Sequence, residues 1–231
     1  MRDSAAMQKL RALLLPLLAL AATPALADEV VYETVSEVVY TEQVGSERLV
    51  MAAPPAAIPQ GIAQYGPFRV LDPVRAALVD VTDEASPAQF AAMLRDYPGI
   101  AMLEMIDCPG TEDDRANLRL GRTIHARGIT THVPTGGSVR SGGVELFLAG
   151  SHRIADPGSE FAVHSWADED GREAADYPAD APENRAYLDY YREMGMPPAE
   201  ASAFYAMTNS VPNADAKFLG AEEMGRWVHL D

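Results

Sequence analysis

Apolar residues along this chain fall into two alternating patterns: short continuous runs and stripes at helical spacing. Arg75 to Val81 (RAALVDV), Ile100 to Ile106 (IAMLEMI), Ile129 to Val133 (ITTHV) and Phe161 to Val163 are the runs. Their length and β-branched content predict buried strands, with Ile100–Ile106 central. Between them lie helical signals. Ser86-Pro87 pairs an N-cap residue with proline at the first helical position, and Phe90, Met93 and Leu94 then share one face up to Asp96. Asp113 or Asp114 opens a second helix, striped by Leu118, Leu120, Ile124 and His125. That helix runs to about Arg127, with Gly128 placed as its C′ residue. A further helix is expected from Ser141 through the apolar Val144–Ala149 stretch. Strands alternating with helices at this spacing predict an α/β fold with a mainly parallel sheet and right-handed crossovers.

The later chain predicts a loop, Ala167–Glu183, that is acidic and contains Gly and Pro. An amphipathic helix, Glu183–Met194, follows, with Tyr187, Leu188 and Tyr191 as its contacts. Pro197-Pro198 opens a short helix to about Met207. Asn209–Ala216 reads as a polar loop, and Lys217–Asp231 as a turn, a helix and a last strand. Before residue 67 the pattern changes. Glu29–Ser36 and Glu37–Val44 are near repeats rich in Val and Tyr, consistent with an edge hairpin, and Met51–Gly66 is a Pro/Ala/Gly-rich linker.

The N-terminus adds an address. Arg2, Lys9 and Arg11 precede an eleven-residue apolar run, Ala12–Ala22, and Ala25-Leu26-Ala27 fits small-residue cleavage. Residues 1–27 are therefore expected to be a signal peptide cut after Ala27, giving a periplasmic or secreted protein of residues 28–231. The apolar run is short for a bilayer span, so membrane association is expected only if the signal stays uncleaved. The expected organisation is signal 1–27, extension and linker 28–66, and one domain, 67–231.

Charge and composition then exclude classes. The formal charge is −16, which disfavours nucleic-acid binding because phosphate neutralisation needs a basic surface. Cys108 is the sole cysteine, so no intrachain disulfide forms and no thiolate zinc site is available. The five histidines have no metal-ligand spacing, and Asp168-Glu169-Asp170-Gly171 lacks the EF-hand pattern. No metal and no cofactor is expected.

The candidate chemistry lies in Thr135–Trp166. Ser141 stands at a helix start, before Gly142-Gly143; His164 ends a strand. A serine hydroxyl needs a neutral imidazole to take its proton, and backbone N–H groups to hold the oxyanion that forms. The Gly142 N–H lies beside Ser141, and a second donor is available from Pro109-Gly110-Thr111, a turn at a strand's carboxyl end. Taken alone, the same residues also describe an ordinary N-cap serine and a structural histidine. The G-x-S-x-G signature is absent because Val139 stands two before Ser141.

The ordered set of segments resembles the Clp-protease/crotonase superfamily, specifically the proteolytic subunit of Clp protease and exported Clp-like proteins. Ile106–Thr111 (IDCPGT) resembles its strand–Ser/Pro/Gly–helix segment. Ser141-Gly142-Gly143 with Leu146–Gly150 and Arg153 resembles its nucleophile helix, and Phe161–His164 its histidine strand. The resemblance covers about residues 75–231 and implies a spiral of ββα units with a mainly parallel sheet. It also implies a Ser141–His164–acid triad, an oxyanion hole at Gly110, Thr111 and Gly142, a peptide or protein substrate, and homo-oligomerisation. It assigns the acid to Asp215, before Phe218-Leu219, with Asn213 as the alternative orienting group. Thr111 departs from the pattern, standing where the family has glycine. The function implied is an exported Clp-like serine peptidase. The alternatives are a catalytically degenerate fold that binds peptides or partners and, more remotely, a crotonase acting on acyl-thioesters.

Overall fold

A computed structural model describes residues 56–231; the signal segment, the repeats and most of the linker lie outside these described residues. Ten strands and six α-helices follow one another as β1 (Ala63–Tyr65), β2 (Phe68–Val70), β3 (Arg75–Leu78), α1 (Ser86–Asp96), β4 (Met102–Met105), β5 (Asp107–Cys108), α2 (Asp114–Ala126), β6 (Thr130–Val133), β7 (Ser138–Arg140), α3 (Gly142–Leu148), β8 (Arg153–Ala155), β9 (Glu160–Val163), α4 (Pro182–Glu193), α5 (Pro198–Thr208), β10 (Lys217–Gly220) and α6 (Ala221–Met224). They form two sheets, ordered β1-β2-β3-β4-β6-β8 and β10-β9-β7-β5.

The order reveals a repeat. The β4-β5-α2, β6-β7-α3 and β8-β9 segments each give their first strand to the larger sheet and their second to the smaller. The first turn of the spiral, β3 and α1, contributes only the bridge Thr82↔Thr111 on the second side. All pairings among β3, β4, β6 and β8, and among β5, β7 and β9, are parallel; antiparallel pairs occur at β1-β2-β3 and β9-β10. The protein is thus an α/β spiral of ββα units with mainly parallel sheets, as the resemblance implied.

Several boundaries differ from expectation for local reasons. The Pro/Ala/Gly-rich stretch ends in β1, so its last residues join the domain. The turn read at Asp107–Thr111 begins with a strand, β5, which pairs in parallel with the unexpected β7. Helix α1 starts at Ser86, with Ala85 as N-cap; Asp83 accepts the backbone N–H groups of Ala85 and Ser86 and the Ser86 hydroxyl. At the C-terminus the order is strand then helix, because Lys217–Gly220 pairs antiparallel with β9. In α4 Tyr191 is buried and Tyr187 packs half-buried against the core, as expected; Asn184 and Tyr190 are buried with them, and Leu188 is not. The acidic loop folds around Asp168, which accepts the N–H groups of Asp170 and Arg172 and the Tyr177 hydroxyl and pairs with Arg172.

Helix α3 is the centre of the core: all seven of its residues are buried. Leu146, Phe147 and Leu148 are fully inaccessible, each stabilising the fold by about 2 kcal/mol through burial. Such a helix is apolar all round because protein surrounds it. Its one ionisable residue, Glu145, is therefore conspicuous.

Candidate active site

The site begins with the backbone between β7 and α3. Ser141 has φ 49° and ψ −127°, and is the sole non-glycine residue with positive φ among the described residues. Such a conformation costs about 1–3 kcal/mol and survives where its surroundings fix it. They do so here: the Ser141 N–H donates to Ala162 O on β9 at 2.8 Å, while Ser141 O accepts the Val144 N–H at 2.9 Å. Although Ser141 occupies the N-cap position, its side chain makes no capping hydrogen bond. The hydroxyl is thereby left free at a strained strand-to-helix turn, the geometry of a nucleophile elbow without its glycine signature.

Glycines let the neighbouring chain close around this turn. A Cβ on Gly142 would lie 2.6 Å from Thr111 Cγ2, and one on Gly143 would lie 2.6 Å from Cys108 Sγ. A Cβ on Gly110 would come within 3.1 Å of Ser141 Cβ, and its φ of 136° is itself unfavourable for other residues. Thus the β5–α2 turn and the Ser141 turn are in contact. Cys108 is buried under α3, which pushes its thiol up to about 12; it is a packing group, not a nucleophile.

The three proposed oxyanion donors lie on these two turns. Thr82 N–H donates to Gly110 O at 3.1 Å and Glu112 N–H to Thr82 O at 2.8 Å, so this side of the turn is occupied. The Gly110 N–H, like those of Thr111 and Gly142, makes no backbone hydrogen bond among the described residues, and all three remain available. Asn117, missed in the sequence, secures them. Its Nδ2 donates to Gly142 O at 2.6 Å, and its Oδ1 accepts the Thr82 hydroxyl at 3.0 Å. Thr82 and Asn117 are both buried.

His164 follows β9 and lines the same cleft as Ser141. Its Nδ1 lies 2.8 Å from Ser165 O. A carbonyl can only accept, so Nδ1 carries the proton and Nε2 keeps its lone pair. Asn213 Nδ2 donates to the same carbonyl at 2.8 Å and sits 3.1 Å from Nδ1. Asp215 is not brought to the ring. It is exposed, and no hydrogen bond joins its side chain to His164. The chain folds back at Pro212, whose carbonyl accepts the Asp215 N–H, and Asn213 is the residue delivered to the ring. A carboxylate from a different element shares the cleft with His164. Asp114, in the first turn of α2, lines the cleft; desolvation raises its carboxyl, while the Tyr187 hydroxyl and His164 oppose that rise.

Beyond these groups the cleft is narrow, with about 30 Å³ open to the centres of water-sized molecules; the wider 380 Å³ around it includes open solvent. Trp166, Tyr187, Tyr191 and Tyr205 wall it, and Trp166 Nε1 donates to the Tyr205 hydroxyl at 2.7 Å. Among the described residues no lysine or arginine lines it. Glu145 reaches it from α3; burial pushes its carboxyl up to about 7, against the lowering effect of the Tyr191 hydroxyl.

No protein-family model matches the chain, and no curated protein sequence matches it. Solved structures are similar at a distance. One is the 1510-N membrane-bound stomatin-specific protease, as a lysine-to-alanine mutant in complex with a substrate peptide. It is 16% identical over 68% of this chain and 74% of that chain, with a TM-score of 0.43. A serine-to-alanine mutant of the same protease is 17% identical over 68% of this chain and 78% of that chain, with a TM-score of 0.42. At this distance the site stands on its own geometry.

Proposed function

We propose that the protein is a Clp-like serine peptidase that acts outside the cytoplasm as a homo-oligomer. Ser141 Oγ attacks the peptide carbonyl while His164 Nε2 takes its proton. The Gly110, Thr111 and Gly142 N–H groups hold the oxyanion. His164 then passes the proton to the leaving amine, and a water molecule repeats the cycle on the acyl-enzyme. Ser165 O, itself held by the Asn213 amide, keeps the imidazole in the working tautomer. The single observation behind this reading is Ser141 itself: a strained, non-capping serine at a strand-to-helix turn, sharing a cleft with a histidine. Export rests on the sequence pattern of residues 1–27, and the oligomer on the resemblance alone.

The test is hydrolysis of an unfolded protein such as β-casein by the mature chain. Cleavage that disappears in Ser141→Ala supports the reading; cleavage that persists in the folded variant defeats it. One feature favours the degenerate, peptide-binding alternative: the acceptor for the His164 Nδ1 proton is a carbonyl, which fixes a tautomer but brings no negative charge to an imidazolium. On that alternative, casein binds to the wild-type protein and is not cut.

A further inference from the structure

The cleft beside Ser141 and His164 is lined by three acceptor groups, one of which has no donor. Glu145 is 7% exposed. One of its oxygens, Oε1, takes the Tyr191 hydroxyl at 2.7 Å, and no side chain donates to the other. Asn209 provides a second case. Its Nδ2 donates to Tyr205 O at 2.8 Å and to Thr208 Oγ1 at 3.2 Å, which fixes the amide and leaves Oδ1 buried with no partner. Asp114 adds a third acceptor group, and no lysine or arginine among the described residues lines the cleft.

What enters decides whether these atoms are satisfied. An apolar side chain would seal from water a carboxylate with one hydroxyl donor and an amide oxygen with none, which is costly. An acidic one would add like charge beside Glu145 and Asp114. A primary ammonium or a guanidinium would donate to both Glu145 and Asn209, and would meet the aromatic faces of Tyr187 and Trp166. We propose that this cleft is a specificity subsite for a positively charged side chain, with Glu145 as its counter-ion and Asn209 Oδ1 as the second acceptor. Applied to the peptidase reading, on which this step rests, it assigns cleavage next to lysine or arginine. Burial holds the Glu145 carboxyl near neutrality, with Tyr191 and Tyr187 facing it from α4, Tyr205 from α5, Asp114 from α2 and His164 from the end of β9. An arriving cation favours its ionised form.

The test separates the subsite from the chemistry. The Ser141→Ala protein is titrated with n-butylamine, benzamidine and neutral butyramide by calorimetry above neutral pH, in parallel with Glu145→Gln and Asn209→Asp in the same background. The expected result is that the two cations bind and butyramide does not. Glu145→Gln weakens them by roughly tenfold or more, the loss expected for a charged hydrogen bond, and Asn209→Asp tightens them. Cations that fail to bind the folded protein, or bind no better than butyramide, overturn the proposal, as does binding indifferent to both substitutions. A peptide library digested by the wild-type protein then reads the other half. Cleavage after leucine or methionine, unchanged by Glu145→Gln, defeats the subsite and leaves the peptidase. Cation binding without any hydrolysis defeats the peptidase and leaves the subsite.

Discussion

Two successive turns of the spiral make the same connection, from a strand of the smaller sheet into a helix, and they end differently. Between β5 and α2 the N-cap is Asp113. Its backbone is extended, with φ −142° and ψ 101°, and its carboxylate accepts the Ala116 N–H at 2.8 Å. Between β7 and α3 the N-cap is Ser141, with a left-handed φ and no capping bond. The first is an ordinary helix start that satisfies an orphan donor. The second forgoes that bond and carries backbone strain, leaving both hydroxyl and donors unspent. The contrast continues one turn into each helix. Four residues past Asp113 stands Asn117, buried with both ends of its amide bonded; four past Ser141 stands Glu145, buried with a single hydroxyl on its carboxylate. One turn is built to stay as it is, and the other to receive something.

Substitutions at equivalent positions sharpen this difference. The largest effect belongs to Ser141→Ala, which should lower peptide hydrolysis by at least ~10⁴-fold, whereas Asp113→Ala should leave the rate within about twofold. Initial rates on one peptide substrate compare the two, and equal losses would erase the distinction.

The helices come next. The Glu145 carboxyl titrates at about 7 in the folded protein, against an ordinary value of 4.5. The folded state therefore binds more protons than the unfolded one between these values, and stability falls as pH rises through that window. The loss is on the order of 3 kcal/mol. Glu145→Gln should remove this slope and be the more stable protein above pH ~7, as urea titrations at several pH values would reveal. Asn117, neutral and fully paired, gives no such pH dependence: Asn117→Ala should cost about 2–3 kcal/mol at every pH, since it strands Gly142 O and Thr82.

A smaller effect separates Asn213 from Asp215. Asn213→Ala should lower kcat by roughly tenfold, about the worth of one hydrogen bond, with KM unchanged. Asp215→Ala should do nothing measurable. The reverse pattern would restore Asp215 to the triad. The smallest expected change is the cap itself: Asp113→Ala should cost about 1 kcal/mol of stability, read from thermal unfolding.

The two turns also differed in how far the sequence exposed them. Helix α2 announced itself through Asp113-Asp114 and a leucine stripe, and strands β4 and β6 through continuous apolar runs. Strand β7 did not, because Ser138-Val139-Arg140 buries only Val139 and follows Gly136-Gly137, which read as a turn. Without β7, Ser141 looks like any N-cap serine; its strained backbone exists only because β9 pairs alongside. The ordered resemblance of segments pointed to Ser141 and His164, and to the spiral. It assigned the acid to Asp215 rather than Asn213, two residues apart in a loop whose path depends on tertiary contacts. Glu145 was hidden for a plainer reason. A single charge in Gly-Gly-Val-Glu-Leu-Phe-Leu reads as the solvent face of a helix, and only the packing of α2 and α4 around α3 shows that this helix has none.

The central claim is that Ser141 is an activated nucleophile. Incubating the mature protein with a fluorophosphonate probe, followed by peptide mapping, tests it most directly. The account predicts a covalent adduct on Ser141 that vanishes in His164→Ala while the fold persists. A folded wild-type protein that carries no adduct on Ser141, or one that His164→Ala leaves intact, would contradict it.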